Sequence, residues 1–191
     1  MPERFRSLPP DELTEQQRAL YDAISGGPRG QGQQPFPLTD RRGALTGPFG
    51  IMLIEPGIGA ALQDLGAAIR YRSSLSTRIR EIAILTVAAA TSSTFEAWAH
   101  ERVALAAGMA PDELDDLRSR TFVSEDAVEQ AAYNLVEALL RRGPISEPDY
   151  AVAAENLDQP AIFELCVLVG YYLTLAMAMH CFDVGPLEEF E

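Results

Sequence analysis

The sequence predicts an all-α protein of about seven to eight helices. Three observations support this fold class: residues that cap helices stand before segments of helical apolar periodicity, glycines close three of those segments, and no alternating strand pattern or Gly-rich phosphate loop is present. A length of 191 residues is enough for one domain with a hydrophobic core and short for two. We therefore expect a single domain over residues 1–191.

Each predicted helix is justified by the residue that can cap its start or by the glycine or proline that stops it. Most begin directly after Ser, Thr or Asp, and Thr14 with Gln17 has the spacing of a capping box. The first four predicted helices run from Thr14 to Gly26-Gly27, from Pro56 to about Tyr71, over residues 77–91 after Ser76, and from Ser93 to Gly108. The next two cover the acidic residues 111–117 and the segment from Ser124 to Gly143-Pro144. Ser146 can begin a further helix, and the last one follows Asp158 and runs from about Pro160 to Phe182.

Two of these regions carry further expectations. Residues 27–47 are rich in Gly, Pro and Gln, and a structureless stretch of that length is often a lid, a partner contact or disordered. The second half of helix 77–91 is apolar all round, which predicts burial on every face.

The last helix has no charged residue between Leu165 and Met179. Those fifteen residues fall short of the roughly 20 that span a bilayer, and Tyr171, Tyr172 and Thr174 interrupt them. We therefore expect a central core helix and not a membrane span. An all-round apolar helix in a small protein often needs neighbouring subunits to cover it, so we also expect a homo-oligomer.

Composition excludes several partners. A formal net charge of −13 argues against nucleic acid and against an anionic membrane surface. The opening residues are polar and lack the apolar region of a signal peptide, and Cys166 and Cys181 are expected to be reduced and buried. Together these features indicate a cytoplasmic protein. No Cys and His spacing typical of a metal site is present, so we expect neither a metal nor another cofactor.

The segment SSTFEAWAHE, residues 92–101, brings a histidine, two glutamates and a tryptophan together. One interpretation is structural: Ser93 and Glu96 have capping-box spacing, and His100 would pair with Glu96 one turn later. The other interpretation is a reactive site. Glu81 lies on the same helix face as Ile84, Leu85 and Ala88, and burial of that kind raises the pKa of a carboxyl group and suits it to acid–base work.

The segment REIAIL…FEAWAHERVALAAGM, residues 80–109, resembles the carboxymuconolactone decarboxylase family, which is related to the alkylhydroperoxidase D-like proteins. In the decarboxylase branch a Glu is followed by fourteen residues, a second Glu, three residues and a His, and Glu81, Glu96 and His100 match this pattern position for position. The peroxidase branch has two cysteines where this sequence has Ser93 and Glu96. Flanking segments such as GPFGIMLIEPG and RGPISEPDYA extend the likeness to longer members over most of the chain.

The resemblance implies an AhpD-like helical-bundle subunit that forms trimers or hexamers, with the motif helices lining a site near the subunit interfaces. Relatives often have Asn near the end of the last helix, where this sequence has His180. That difference would add a second titratable group to the pocket.

We expect His100 to be the proton donor or base, Glu96 to orient it, and Glu81 to be a second acid–base group. Arg70, Arg72, Arg78 and Arg80 are candidate cations for a substrate carboxylate, although the cluster also fits a solvated helix end with ion pairs. The candidate substrate-binding residues are Arg72, Arg80, Trp98, Tyr172 and His180, and the aromatic ones also fit a core role.

The predicted function is therefore a cofactor-free acid–base enzyme, a decarboxylase or a lactone or keto-acid isomerase, acting on a small carboxylated or lactone substrate. One alternative is a small-molecule-binding oligomer without catalysis. A second alternative is a hydroperoxidase of the peroxiredoxin type, but this chemistry needs a reactive thiolate and a resolving thiol, which Ser93 and Glu96 cannot supply.

Overall fold

The computed structural model describes residues 4–31, 36–141 and 143–186, and within those ranges it contains nine α-helices and no strand beyond one isolated bridge. The helices are α1 Glu15–Ser25, α2 Pro48–Met52, α3 Pro56–Arg72, α4 Thr77–Thr91, α5 Thr94–Ala106, α6 Pro111–Ser119, α7 Ala127–Leu140, α8 Glu147–Ala154 and α9 Gln159–Phe182. Short 3₁₀ turns lie at Pro10–Glu12 and Pro28–Gly30. The predicted all-α fold class is confirmed.

Helix starts follow the predicted caps in most places. Thr14 and Gln17 form the capping box at the start of α1, and the hydroxyl of Ser76 accepts a hydrogen bond from the Ile79 N–H at 3.1 Å. Ser146 and Asp158 cap α8 and α9 in the same way. These side chains take up backbone N–H groups that have no partner within the first turn of a helix.

Two helix starts differ from the prediction. Helix α7 begins at Ala127, because Asp126 and not Ser124 accepts from the first free N–H groups, at 2.8 Å from Val128 and 3.1 Å from Glu129. Helix α2 was not predicted. It has five residues and begins with Pro48, a length at which apolar periodicity carries little information.

Helix α4 forms the centre of the fold and packs against α5, α6, α7 and α9. All residues from Glu81 to Ala88 are buried, so the burial predicted for the apolar second half holds as far as Ala88, whereas residues 89–91 are half-buried. A helix surrounded in this way cannot shift without disturbing its neighbours, so it provides a rigid base for the one carboxylate that it carries in this buried stretch, Glu81.

Helix α9 is buried on one side only. Leu165, Leu168 and Met179 lie in the core, whereas Phe163 and Met177 are 68% and 63% exposed. By length and composition α9 is apolar enough to cross a membrane, a test that core helices of globular domains also pass.

The predicted burial of the two cysteines was wrong. Cys166 and Cys181 are both exposed and free, because they lie on the outward side of α9, which no other described helix covers.

The segment that precedes α2 is held in place by hydrogen bonds, although it contains no helix between residues 36 and 47. The Tyr21 hydroxyl donates to the Gly43 carbonyl at 2.8 Å, and the Thr46 hydroxyl donates to the Pro37 carbonyl at 2.9 Å. Residues 32–35 of the predicted loop lie outside the described residues. The segment ends at Gly47, whose φ of +55° and close approach to the Phe95 ring leave no room for a side chain.

Candidate active site

The tight turn between α4 and α5 brings the two motif helices side by side. Ser92 adopts the left-handed conformation, with a φ of +56°, and the Ser93 N–H donates to the Ala88 carbonyl at 3.0 Å. This turn satisfies the last carbonyls of α4 and reverses the chain. As a result, Glu81 on α4 faces His100 on α5.

Glu81 and His100 form a buried hydrogen-bonded pair. One Glu81 oxygen lies 2.7 Å from His100 Nδ1, and Glu81 is 4% exposed. With Nδ1–H donating to this carboxylate, Nε2 is the acceptor nitrogen, and the Tyr172 hydroxyl lies 3.3 Å from it. The predicted pairing of His100 with Glu96 was wrong, because the carboxylate that reaches His100 comes from the neighbouring helix α4.

Glu96 is 2% exposed, and neither of its carboxyl oxygens has a hydrogen-bond partner among the described residues. The predicted capping box is absent, since the Ser93 side chain makes no capping hydrogen bond and is itself buried. Burial raises the pKa of Glu96 to about 8, and the nearby Ser93 hydroxyl opposes the increase only in part. Glu96 is therefore mostly a neutral carboxylic acid at pH 7.

Two adjoining cavities reach these groups. An outer cavity of about 200 Å³ is lined by Glu81 and His100, and an inner chamber of about 40 Å³ is lined by Glu96 with mainly aromatic and aliphatic side chains. Both volumes are below the roughly 300 Å³ at which sites for drug-sized ligands begin. The residues that line both are Arg29, Arg70, His100 and Tyr172.

Two neighbouring tyrosines of α9 line the inner chamber, Tyr171 buried and Tyr172 half-buried. Burial raises the pKa of Tyr171 to about 12, with Arg29 opposing and Glu96 adding to the effect. The pKa of Tyr172 lies well above its ordinary value, first because of burial and then because of the charge of Glu81. Both phenols therefore keep their protons at neutral pH and act as hydrogen-bond donors.

The four predicted cations have different surroundings. Arg70 and Arg80 line the outer cavity, and Arg80 also donates to the Leu75 carbonyl at 2.6 Å. Arg78 instead forms ion pairs that join α4 to α6 and α7. Arg72 lines a separate apolar groove between α3 and α9.

Among the other predicted substrate-binding residues, Tyr172 lines both cavities, but Trp98 and His180 line neither. Trp98 packs against Phe36 and Phe95, and the Arg102 guanidinium lies 4.4 Å from its ring centre. His180 is exposed near the end of α9, where its Nε2 is 3.4 Å from the Ser92 carbonyl. The expectation that His180 adds a titratable group to the pocket was wrong, since this part of α9 reaches the α4–α5 turn and not the cavities.

Sequence reasoning missed Arg29. It lies in the 3₁₀ turn Pro28–Gly30 and lines both cavities. Its only local signal was a cation inside a Gly- and Pro-rich stretch, which does not show where the side chain points. As for metals, the described part of the chain contains no group of three or more His, Cys, Asp or Glu placed to hold an ion.

Comparison with known proteins gives a family match and matches among solved structures. Residues 56–138 match the model of the carboxymuconolactone decarboxylase family. The fold matches the crystal structure of an uncharacterized peroxidase-related protein from Ralstonia eutropha JMP134, described as an alkylhydroperoxidase AhpD core, with a TM-score of 0.73 and 13% identity over 100% of this chain and 95% of that chain. At 13% sequence identity, this structural similarity establishes only that the two proteins share a fold. No curated protein gives a significant match to the sequence.

Proposed function

Because residues 56–138 belong to the carboxymuconolactone decarboxylase family and the chain has an AhpD-like fold, we propose that the protein is a cofactor-free acid–base enzyme. It acts on a small carboxylated or lactone substrate, as a decarboxylase or as a lactone or keto-acid isomerase. The residues proposed to form the site, Glu81, Glu96 and His100, all lie within the matched segment.

One observation carries the proposal: two acid–base groups in different environments line connected cavities. His100 is held by Glu81 at 2.7 Å with Nε2 as its acceptor nitrogen, whereas Glu96 is a partnerless carboxyl group whose pKa is raised to about 8. Such a difference in environment assigns one group as base and the other as acid. His100 is the base, Glu81 is its positioning residue, and Glu96 is the general acid.

In a decarboxylation by this site, the bond between the substrate carbon and its carboxylate breaks, CO₂ leaves, and the electron pair remains on the substrate as a dienolate. The Glu96 carboxyl group then gives its proton to carbon, and the resulting Glu96 carboxylate regains a proton from water. In an isomerisation, His100 Nε2 takes a proton from one carbon and Glu96 delivers a proton to another. The Tyr172 hydroxyl stabilises negative charge on an enolate oxygen.

The test is turnover of carboxymuconolactone and of related small lactone and keto acids. Glu96→Gln and His100→Gln are expected to lower kcat by about 100-fold or more, the usual contribution of a positioned acid or base. His180→Gln, which changes the histidine outside the cavities, is the matched control and should stay within about twofold of wild type. Full turnover by His100→Gln would refute the assignment, and binding of these acids without consumption would favour the non-catalytic alternative.

The redox alternative gains no support from the two thiols. Cys166 and Cys181 line neither cavity, and their separation along α9 is about 22 Å at 1.5 Å per residue. Although Cys166 is exposed, partial desolvation by its neighbours raises the pKa of its thiol, which opposes formation of a reactive thiolate. The proposal therefore contains no hydroperoxidase step.

We further propose that the chain forms a cytoplasmic homo-oligomer, a trimer or hexamer. The support is an exposed apolar surface on α3 and α9 that includes Ile58 at 70% exposure and Met177 at 63%. Light scattering during gel filtration should give a multiple of the 20.8 kDa chain mass. Met177→Lys should reduce that mass, whereas Val123→Lys, at an exposed position before α7, should not.

A further inference from the structure

We propose that Arg29 and Arg70 form a carboxylate-binding subsite where the outer cavity meets the inner chamber. The ligand is a small monocarboxylic acid whose carboxylate lies between the two guanidinium groups and whose apolar body lies in the outer cavity, next to the inner chamber that Glu96 lines. Binding by this subsite is a separate property, and the statement that the bound acid is turned over rests on the proposed function.

The first support is that two positively charged side chains beside the cavities form no ion pair among the described residues. Arg29 and Arg70 both line both cavities, and within the described part of the chain neither forms an ion pair with a carboxylate. By contrast, Arg78, Arg118, Arg120 and Arg141 all have carboxylate partners. Two cations left unpaired beside a cavity provide charge for an anionic ligand.

The second support is the way Arg29 is held. Its Nε donates to the side-chain oxygen of buried Gln63 at 3.0 Å, and its guanidinium lies 5.1 Å from the centre of the Phe49 ring. An amide oxygen and an aromatic face fix the direction of a guanidinium without neutralising it. The remaining N–H donors are therefore available to two oxygens of a carboxylate.

The third support is the space that a glycine leaves for this side chain. A Cβ at Gly66 would lie 2.9 Å from an Arg29 guanidinium nitrogen and 2.2 Å from the Tyr171 hydroxyl oxygen. Because such contacts do not occur in folded proteins, any larger residue at position 66 would displace the guanidinium. Gly66 is thus part of the subsite, although it contributes no side chain.

The chemistry of the inner chamber favours a monocarboxylate over a phosphate. Phe49, Phe95 and Leu175 line the chamber, and Glu96 is mostly neutral at pH 7. The outer cavity of about 200 Å³ has room for a flat apolar group attached to one carboxylate, which the inner chamber of about 40 Å³ lacks. A dianion placed between the arginines would have to leave water beside the mainly apolar walls of that chamber. With its carboxylate at the arginines, the adjoining carbon atoms lie along cavities that His100 and Glu96 also line.

The test is isothermal titration calorimetry with benzoate as the probe and benzamide as its uncharged counterpart. Arg29→Gln should weaken benzoate binding by about tenfold or more, the effect of losing a charge-assisted hydrogen bond. Arg72→Gln removes the same charge from a groove outside the cavities and should leave the Kd within about twofold. Benzamide binding should not respond to either change.

Gly66→Ala is a second variant that keeps the net charge. Its added methyl group would displace the Tyr171 hydroxyl as well as the Arg29 guanidinium, and it should also weaken benzoate binding. Circular dichroism melting of each variant establishes that it is folded, and if Gly66→Ala does not fold, the Arg29→Gln comparison decides. Equal Kd values for Arg29→Gln and Arg72→Gln would overturn the proposal, as would an absence of saturable benzoate binding to the wild-type protein at millimolar concentration.

The outcome is separable from that of the proposed function. Arg29-dependent benzoate binding in a protein that turns over no lactone or keto acid would leave the subsite standing and refute the enzyme. Turnover that depends on His100 and Glu96 but has the same KM in wild type and Arg29→Gln would support the enzyme and refute the subsite.

Discussion

Replacing Glu96 by Gln changes how the stability of this protein depends on pH. In the folded state burial raises the pKa of Glu96 from 4.5 to about 8, whereas in the unfolded chain the group returns to its ordinary value. Between these two pKa values the folded state binds more protons, so Glu96 lowers the free energy of unfolding as pH rises, by at most about 1.4 kcal/mol per pH unit. The full difference between the two pKa values corresponds to a loss of about 5 kcal/mol in the free energy of unfolding. This is an upper bound, because the site relaxes when Glu96 ionises.

The measurement is urea unfolding of wild type, Glu96→Gln and the exposed control Glu125→Gln at several values between about pH 5 and pH 9. At the acid end wild type and Glu96→Gln should have similar stability, since both carry a neutral side chain at position 96. Toward pH 9 Glu96→Gln should become more stable than wild type by several kcal/mol, and Glu125→Gln should follow wild type throughout. A constant difference between Glu96→Gln and wild type across this range would refute the argument that Glu96 is buried as a neutral acid.

Two further predictions concern stability. Gly47→Ala should destabilise the protein more than Gly108→Ala. Both positions have positive φ, which alone costs about 1 kcal/mol for a residue with a side chain, but only a Cβ at Gly47 would overlap a ring, that of Phe95. Thermal melting of the two variants measures the difference. Arg78→Ala should lower the free energy of unfolding by about 1–3 kcal/mol at pH 7, measured by urea titration. The Arg78 guanidinium lowers the pKa of Glu113, so this loss should shrink as pH falls through that lowered pKa and should not persist unchanged in acid.

Local chemistry explains which parts of the fold could be predicted from the sequence. The caps at Thr14, Ser76, Ser146 and Asp158 act within one helical turn, and all were predicted correctly. The start of α7 was placed too early because Ser124 and Asp126 are both good capping residues. Only the backbone geometry of the preceding turn decides between two such residues.

At the candidate site, Glu81, Glu96 and His100 line the two adjoining cavities, but one contact between them differs from the prediction. Glu96 and His100 have the spacing of neighbours on one helix, so the sequence favoured a pair within α5. The observed partner, Glu81, comes from α4, and its reach depends on how two helices pack across a turn at Ser92. The position of Arg29 was even harder to predict, because nothing in a Gly- and Pro-rich stretch indicates that its side chain turns back toward α3.

The two kinds of site residue have different origins along the chain. The proposed acid–base groups all lie within residues 56–138, the segment that matches the family. Much of the chamber wall comes from outside it, from Arg29 and Phe49 before the segment and from Tyr171 and Tyr172 after it. If the proposed function holds, substitutions in the flanking segments should change ligand preference while the proposed proton-transfer groups stay fixed, and an engineer seeking a new substrate would have the same route.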